Sequence, residues 1–248
     1  HAVYWPAFLI GAGLAPPKRI YAHGWWTNEG QKISKSVGNV IDPREIVETY
    51  GLDQVRYFLM REVPFGNDGD FSRKSVVSRI NSELANDLGN LAQRTLSMVG
   101  RYCEGVLPEP GAYTDADTAM LKQATAVMDA YRTHLHNQAF HEALETIWQV
   151  VRAANAYVDQ QAPWALHKED PARRDTVLYV LAETIRHLAL YIQPYMPDSA
   201  AVMLDQLVVP ADARDFTHVG EGSALTPGTT LPKPAPVFPR FVEEESAN

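Results

Sequence analysis

"HGWWTNEGQKISKSVGN", residues 23–39, is the stretch on which the reading of this chain turns. It sets Lys32 and Lys35 among glycine and asparagine, with Ser34 between them and Ser36 directly after. The chain carries a formal net charge of −8, so a cationic loop does not serve solubility. It suits a polyanion that must be gripped and then released. The lysines bring mobile point charges, Ser34 and Ser36 bring hydroxyl donors, and Gly30 and Gly38 let the backbone swing. Nucleotidyl transfer asks for little more, because its catalysis is mainly charge and hydrogen-bond donors placed where negative charge collects. Taken alone, such a string is more often a solvated loop. Its place after a strand raises the functional reading.

Working back from the loop, "KRIYAHGWW" predicts a short strand from Arg19 to about His23, apolar on both faces as in a covered parallel sheet. "HAVYWPAFLIGAG", residues 1–13, predicts a buried helix around Val3, Leu9 and Ile10, stopped by Gly13 before the Pro16-Pro17 turn. Helix, turn, strand and glycine-bearing loop make the closing part of a doubly wound α/β domain, whose ligands bind at strand C-termini. The chain starts at His1 inside this apolar helical pattern, which predicts the C-terminal part of a longer protein.

Working forward, Asp42 reads as an N-cap, Pro43 as the first helical residue and Gly51 as the stop. "LDQVRYFLMRE" forms the next short helix and "VPFGNDGDFS" a loop. From Ser72 the spacing of Val77, Ile80, Leu84, Leu88 and Leu91 predicts one long helix of about seven turns or more. Further helices are predicted over 115–136, 138–161 and 171–193, the last broken near Pro194 and Pro197. The proline-spaced tail "TPGTTLPKPAPVFPRF" is extended, and its Leu231, Val237, Phe238 and Phe241 predict a strap packed on the body. The final "VEEESAN" reads as disordered. The partition is 1–41, 42–71, 72–215 and 216–248.

Apolar content of 46% and charged content of 21% fit a soluble globular protein. No run approaches the roughly 18 apolar residues of a membrane helix, so no membrane is expected. The single Cys103 excludes internal disulfides and cysteine-cluster metal sites and fits a reducing cytoplasm. His134, His136 and His141 lack the spacing by which one helix presents a metal site, so no metal is expected.

"KISKS" at 32–36 resembles the KMSKS loop of class I aminoacyl-tRNA synthetases, with Ile33 in place of methionine. The wider stretch from "HAVYWPAFL" to "AHGWWTNEGQKISKSVGNVIDP" is similar to the methionyl-tRNA synthetase family in particular. So are "VRYFLMREVPFGNDGDF", "ELANDLGNLAQR" (83–94) and "NAYVDQQAPWAL" (155–166). The resemblance covers residues 1–241 and implies a mainly α fold. It would comprise the end of a Rossmann-like α/β catalytic domain, an all-α anticodon-binding helix bundle and an extended strap.

That resemblance implies ATP-dependent attachment of methionine to tRNA(Met) through methionyl-adenylate, with Mg2+ accompanying ATP. It implies that Lys35 stabilises the phosphates, assisted by Lys32, Ser34 and Ser36, and that His23, Gly24 and Trp26 border the adenosine. His1 and Trp5 match methionine-pocket positions, where an imidazole and an indole offer a polarizable wall to a thioether. The family's HIGH motif does not occur here. The resemblance therefore implies that catalysis needs the N-terminal part of the same protein, where any zinc would also lie.

On an α-helix Asn86, Asn90 and Arg94 share a face, and a carboxamide and a guanidinium one turn apart can read base edges and phosphate. Trp164, directly after Pro163 at a helix end, can stand exposed for stacking on an unpaired base. Taken alone, a solvated face and a corner tryptophan are the commoner outcomes. The resemblance implies anticodon contacts at Asn90, Arg94, Pro163 and Trp164. Two alternatives stay open at this point: a non-catalytic tRNA anticodon-binding module, and a class I synthetase for another amino acid.

Overall fold

The computed structural model describes residues 1–242. A three-stranded sheet of order β2-β1-β3 sits at the N-terminal side, with β1 at Trp26–Asn28, β2 at Gln31–Lys32 and β3 at Gly69–Phe71. β1 and β2 form an antiparallel hairpin, pairing Thr27 with Lys32 and Asn28 with Gln31. Its two-residue turn, Glu29-Gly30, has φ of 50° and 76°. Those positive angles match the turn to the twist of the strands. β1 and β3 run parallel, pairing Trp26 with Gly69 and Asn28 with Phe71.

Two expectations at this end are corrected. The strand lies at Trp26–Asn28, not at residues 19–23, and β3 occupies part of the segment read as a loop. Residues 19–23 join no ladder among the described residues. The first helix, α1 at Tyr4–Gly11, exists but contains no buried residue. It is apolar on all sides, and such a helix needs covering on all sides. The described residues do not supply that cover.

Local signals hold better. α2 spans Pro43–Tyr50, with the Asp42 carboxylate accepting from the Arg44 N–H at 2.8 Å and Gly51 closing it at φ 92°. α3 spans Leu52–Arg61. The long helix also forms, started by the Ser72 hydroxyl, but it is not α throughout. Arg73–Arg79 (α4) and Asn90–Tyr102 (α5) flank a π-helical stretch, Ile80–Gly89.

The apolar spacing explains the wider turns. Val76, Ile80, Leu84, Leu88, Ala92 and Leu96 are all buried at a strict interval of four residues. In a pure α-helix each such step drifts by about 40° around the axis, so the stripe would wind off the core. Turns closed by i→i+5 bonds hold more residues and keep the stripe straight. Val77, expected in the core, is only half-buried, because Val76 belongs to the stripe.

The remainder is a bundle of α6 (Asp115–Ala126), α7 (Met128–His136), α8 (Phe140–Gln161), α9 (Pro163–Glu169), α10 (Pro171–Ile192) and α11 (Pro197–Gln206). α10 is the axis: every residue from Thr176 to Ile192 is buried, with α5, α6, α8, α9 and α11 against it. The sequence reading contains no helix at α9. Ala162, at φ 44° and ψ 57°, turns the chain sharply after α8, and Pro163 starts the new helix.

The strap packs back as its apolar spacing predicts, although residues 216–224 first form short helical turns. The Leu107 and Leu231 amides bond to the Thr229 and Gly105 carbonyls, each at 2.8 Å. The Gln206 side chain brackets the Ala235 backbone, and the Asn81 side chain brackets that of Phe241. Leu231 and Phe238 are buried, and Phe241 meets Tyr50 of α2 at 4.9 Å between rings. Apart from Val242, "VEEESAN" lies outside the described residues.

Candidate functional sites: the lysine loop and the Arg94–Trp164 face

The lysine loop leaves β2 directly, so Lys32 ends a strand and Lys35 opens the turn that follows. Its shape is held from inside. The Asn39 side chain accepts from the Ser34 N–H at 2.8 Å and donates to the Lys32 carbonyl at 3.1 Å. Asn28 of β1 donates to the Asn39 carbonyl at 2.8 Å, tying the clasp to the sheet. The Ser34 and Ser36 hydroxyls lie 2.8 Å apart, and Gly38, at φ 75°, closes the turn. Lys32 and Lys35 are both exposed. Two ammonium groups and two hydroxyls thus stand on one small, internally fastened loop.

The hairpin is in turn fixed to β3 and to the long helix. Asp70 accepts from the Gly30 N–H at 2.7 Å and from the Thr27 hydroxyl at 2.5 Å. The Glu29 carboxylate accepts from the Arg73 N–H at 2.9 Å, placing negative charge at the start of α4. Asn28, Asn39, Glu29 and Asp70 were not singled out from the sequence. Only Asn39, right after Gly38, carries a local turn signal.

His23, Gly24 and Trp26 border this hairpin in different ways. His23 is exposed, with its ring 6.3 Å from Phe65. Trp26 is half-buried against Phe58, whereas the neighbouring Trp25 is 83% exposed. Gly24 marks a close backbone approach: a Cβ there would stand 2.0 Å from the Asn67 carbonyl oxygen and 2.5 Å from the Asp68 nitrogen. Backbone atoms cannot rotate away as a side chain can. Gly24→Ala is therefore expected to part residues 19–25 from the 64–69 loop. The Gly69 N–H, bonded to the Trp25 carbonyl at 2.8 Å, should lose hydrogen-exchange protection by about tenfold or more, while α10 amides keep theirs.

His1 precedes α1 by three residues, and Trp5 lies in its first turn. Both are exposed, and Trp5 has no ring partner among the described residues.

In the helical half the structure brings two distant residues together. The Arg94 guanidinium lies over the Trp164 ring at 5.2 Å from its centroid and reaches Asp159 at 3.3 Å. Trp164 is 43% exposed. Pro163 beneath it is buried, so α9 presents the indole from a rigid corner. Asn86 and Asn90 are exposed, Asn86 in the π-helical stretch and Asn90 in the first turn of α5. The face offers a flat ring, a guanidinium and carboxamides together, which are groups suited to unpaired bases.

An ion network joins the two halves. Glu83, in the π-helical stretch, accepts from the Tyr57 hydroxyl, from Arg61 at 3.4 Å and from Arg79 at 2.6 Å. Arg61 continues to Glu145 of α8 at 2.6 Å, and Glu145 also pairs with Arg152. Burial, then the Glu83 charge beside it, pushes the Tyr57 hydroxyl well above its usual range, so it serves as a donor. Among the described residues no group of three or more His, Cys, Asp or Glu side chains could hold a metal ion. No helix there is long and apolar enough to cross a membrane.

Two family models match along the chain. The model for class I (M) tRNA synthetases matches residues 1–96, and that for the anticodon binding domain of methionyl tRNA ligase matches residues 107–248. The chain belongs to the methionyl-tRNA ligase family. The methionine–tRNA ligase of Brucella suis biovar 1 is 58% identical over 248 residues, covering 100% of this chain and 48% of that protein. The Mesorhizobium japonicum methionine–tRNA ligase is 56% identical over the same length. Among solved structures, Mycobacterium tuberculosis methionyl-tRNA synthetase in complex with methionyl-adenylate superposes with a TM-score of 0.92 at 53% identity. That match covers 97% of this chain and 48% of that one. The chain spans about half the length of the curated relatives it matches.

Proposed function

We propose that this chain supplies the lysine loop and the anticodon face of an enzyme that joins methionine to tRNA(Met) through methionyl-adenylate. Lys35 stabilises charge on the ATP phosphates, with Lys32, Ser34 and Ser36 assisting. His23, Gly24 and Trp26 border the adenosine, and His1 and Trp5 border the methionine. Mg2+ arrives with ATP as its counter-ion. The rest of the active site comes from the N-terminal part of the same protein, and the setting is cytoplasmic, where tRNA and ATP meet. Asn90, Arg94, Pro163 and Trp164 read the anticodon. The observation that carries this reading is the exposed Trp164 ring with the half-buried Arg94 guanidinium over it, on the same fold that holds the lysine loop. An acidic chain binds tRNA by a few placed contacts on an unpaired loop rather than by bulk charge.

Trp164→Ala in the complete protein separates the anticodon role from packing. Stacking on one base contributes about 1–3 kcal/mol, so tRNA charging should fall by about ten- to a hundredfold at limiting tRNA. Methionine-dependent pyrophosphate exchange, which needs no tRNA, should stay near wild type. The melting temperature should barely move, since the ring is already half in water. A sealing role would instead cost about 3–5 kcal/mol of stability and depress both assays. Charging that survives the truncation would refute the assignment.

A further inference from the structure

Beside the Arg94–Trp164 pair lies a second aromatic and cationic cluster that no anticodon assignment uses. Tyr102, the last residue of α5, stacks on His167 of α9 at 4.3 Å between ring centroids and 22° between planes. Arg174 of α10 donates from Nη1 to His167 Nδ1 at 2.7 Å. A guanidinium has only donors, so Nδ1 accepts and the ring proton sits on Nε2. Arg174 is itself held by Asp175, which accepts at 2.9 and 2.6 Å. Arg101 lies with its Cζ 5.9 Å from the Tyr102 centroid and is exposed, with no carboxylate paired to it among the described residues.

His167 is therefore a ring fixed on one face and one edge yet exposed to solvent. Histidines held this way in a core satisfy both nitrogens, whereas Nε2 of His167 has no protein partner among the described residues. It also continues the Trp164 surface. Trp164 and His167 are three positions apart on α9, which puts them on one face about 4.5 Å apart along the axis. On α5, Arg94 and Arg101 are seven positions and about two turns apart, which places them on one face of that helix. Each exposed ring of α9 thus has a guanidinium of α5 nearby: Arg94 over Trp164 at 5.2 Å, and Arg101 at 5.9 Å from the Tyr102 ring that backs His167.

We infer that His167, backed by Tyr102 and oriented by Arg174, is a second base platform beside Trp164, and that Arg101 takes the adjoining phosphate. The occupant is an unpaired nucleotide next to the one on Trp164, in the same RNA loop. Charge argues for RNA here: an unpaired arginine beside open aromatic faces, on a chain of net charge −8, is complementary to a phosphodiester. This inference rests on the anticodon reading of the Arg94–Trp164 face.

The test uses the complete protein and a synthetic tRNA(Met) anticodon hairpin with 2-aminopurine at each loop position in turn. Wild type should quench two adjacent positions. Trp164→Ala should release one of them and His167→Ala the other, with His167→Ala weakening binding by about tenfold. His167→Phe keeps the ring and drops the Arg174 bond, so it should retain both quenched positions. Arg101→Ala should lower the slope of log affinity against log salt by about one. Unchanged affinity and quenching in His167→Ala, with Trp164→Ala still weakened, would overturn the second platform and leave the anticodon reading standing. Equal failure of His167→Phe and His167→Ala would overturn it in favour of a scaffold role. If Trp164→Ala also binds like wild type, both readings fall.

Discussion

Replacing Lys35 by alanine in the complete protein is expected to slow methionine-dependent pyrophosphate exchange by about 10²–10³-fold. That corresponds to about 3–4 kcal/mol of transition-state stabilisation. The expectation comes from where the ammonium stands. Lys35 is exposed at the opening of the turn, and the loop's own bonds run through the Ser34, Asn39 and Lys32 backbones and side chains. Truncating Lys35 therefore removes a charge without loosening the frame that held it. A charge engaged mainly as the α-phosphate is attacked lowers the rate when lost, while methionine affinity, set elsewhere, stays near normal. Exchange kinetics and equilibrium methionine binding on the same variant distinguish the two. Exchange at the wild-type rate would remove Lys35 from the chemistry. A parallel loss of methionine affinity would recast it as structural.

Why the loop was legible from sequence and its frame was not is a matter of range. Lys32, Ser34, Lys35 and Ser36 lie within five residues, so the chemistry is a local string. The Asp42-Pro43 start and Gly51 stop of α2 are equally local, and both hold. Strands differ, because a strand exists only through its partners. β1 pairs with β2 across a two-residue turn and with β3 some forty residues on, and neither partner shows in the apolarity of residues 19–23. α1 forms, but its apolarity predicts a burial that the structure lacks, because burial depends on what surrounds the helix.

The helical half divides the same way. Bundle helices follow from periodicity over many residues. The π-helical stretch was visible in principle, since Val76, Ile80, Leu84 and Leu88 keep an interval of four, but a template through Val77 and Leu91 conceals it. The Arg94–Trp164 contact spans seventy residues of sequence and depends on how α9 meets α5. So does the Tyr102–His167 stack, which has no local signal. Single residues suited to RNA can be nominated from a sequence. Which of them meet is a property of packing.

Asp117 shows how much energy can sit in such a meeting, and Asp117→Asn is expected to cost about 3 kcal/mol of stability at neutral pH. The carboxylate is fully buried in the first turn of α6. It accepts two bonds from Arg173 at 2.5 and 2.7 Å, the Tyr157 hydroxyl, and the Thr114 N–H at 2.8 Å. An amide of the same shape cannot accept all of these, and it leaves the guanidinium without its counter-charge. Burial opposes ionisation of Asp117, but the Arg173, Tyr157 and Thr114 bonds outweigh it and hold the carboxyl at about 2, against an ordinary 3.8. A depressed value means the charged form is favoured by folding. Its contribution is complete above pH 3.8 and is lost as pH falls toward 2, by about 2 kcal/mol in all. Urea unfolding of wild type and variant should therefore show a constant gap from about pH 7 down to about pH 5, closing by that amount near pH 2. A gap that persists unchanged into acid would mean the loss lies in how the substituted amide packs rather than in the charge of Asp117.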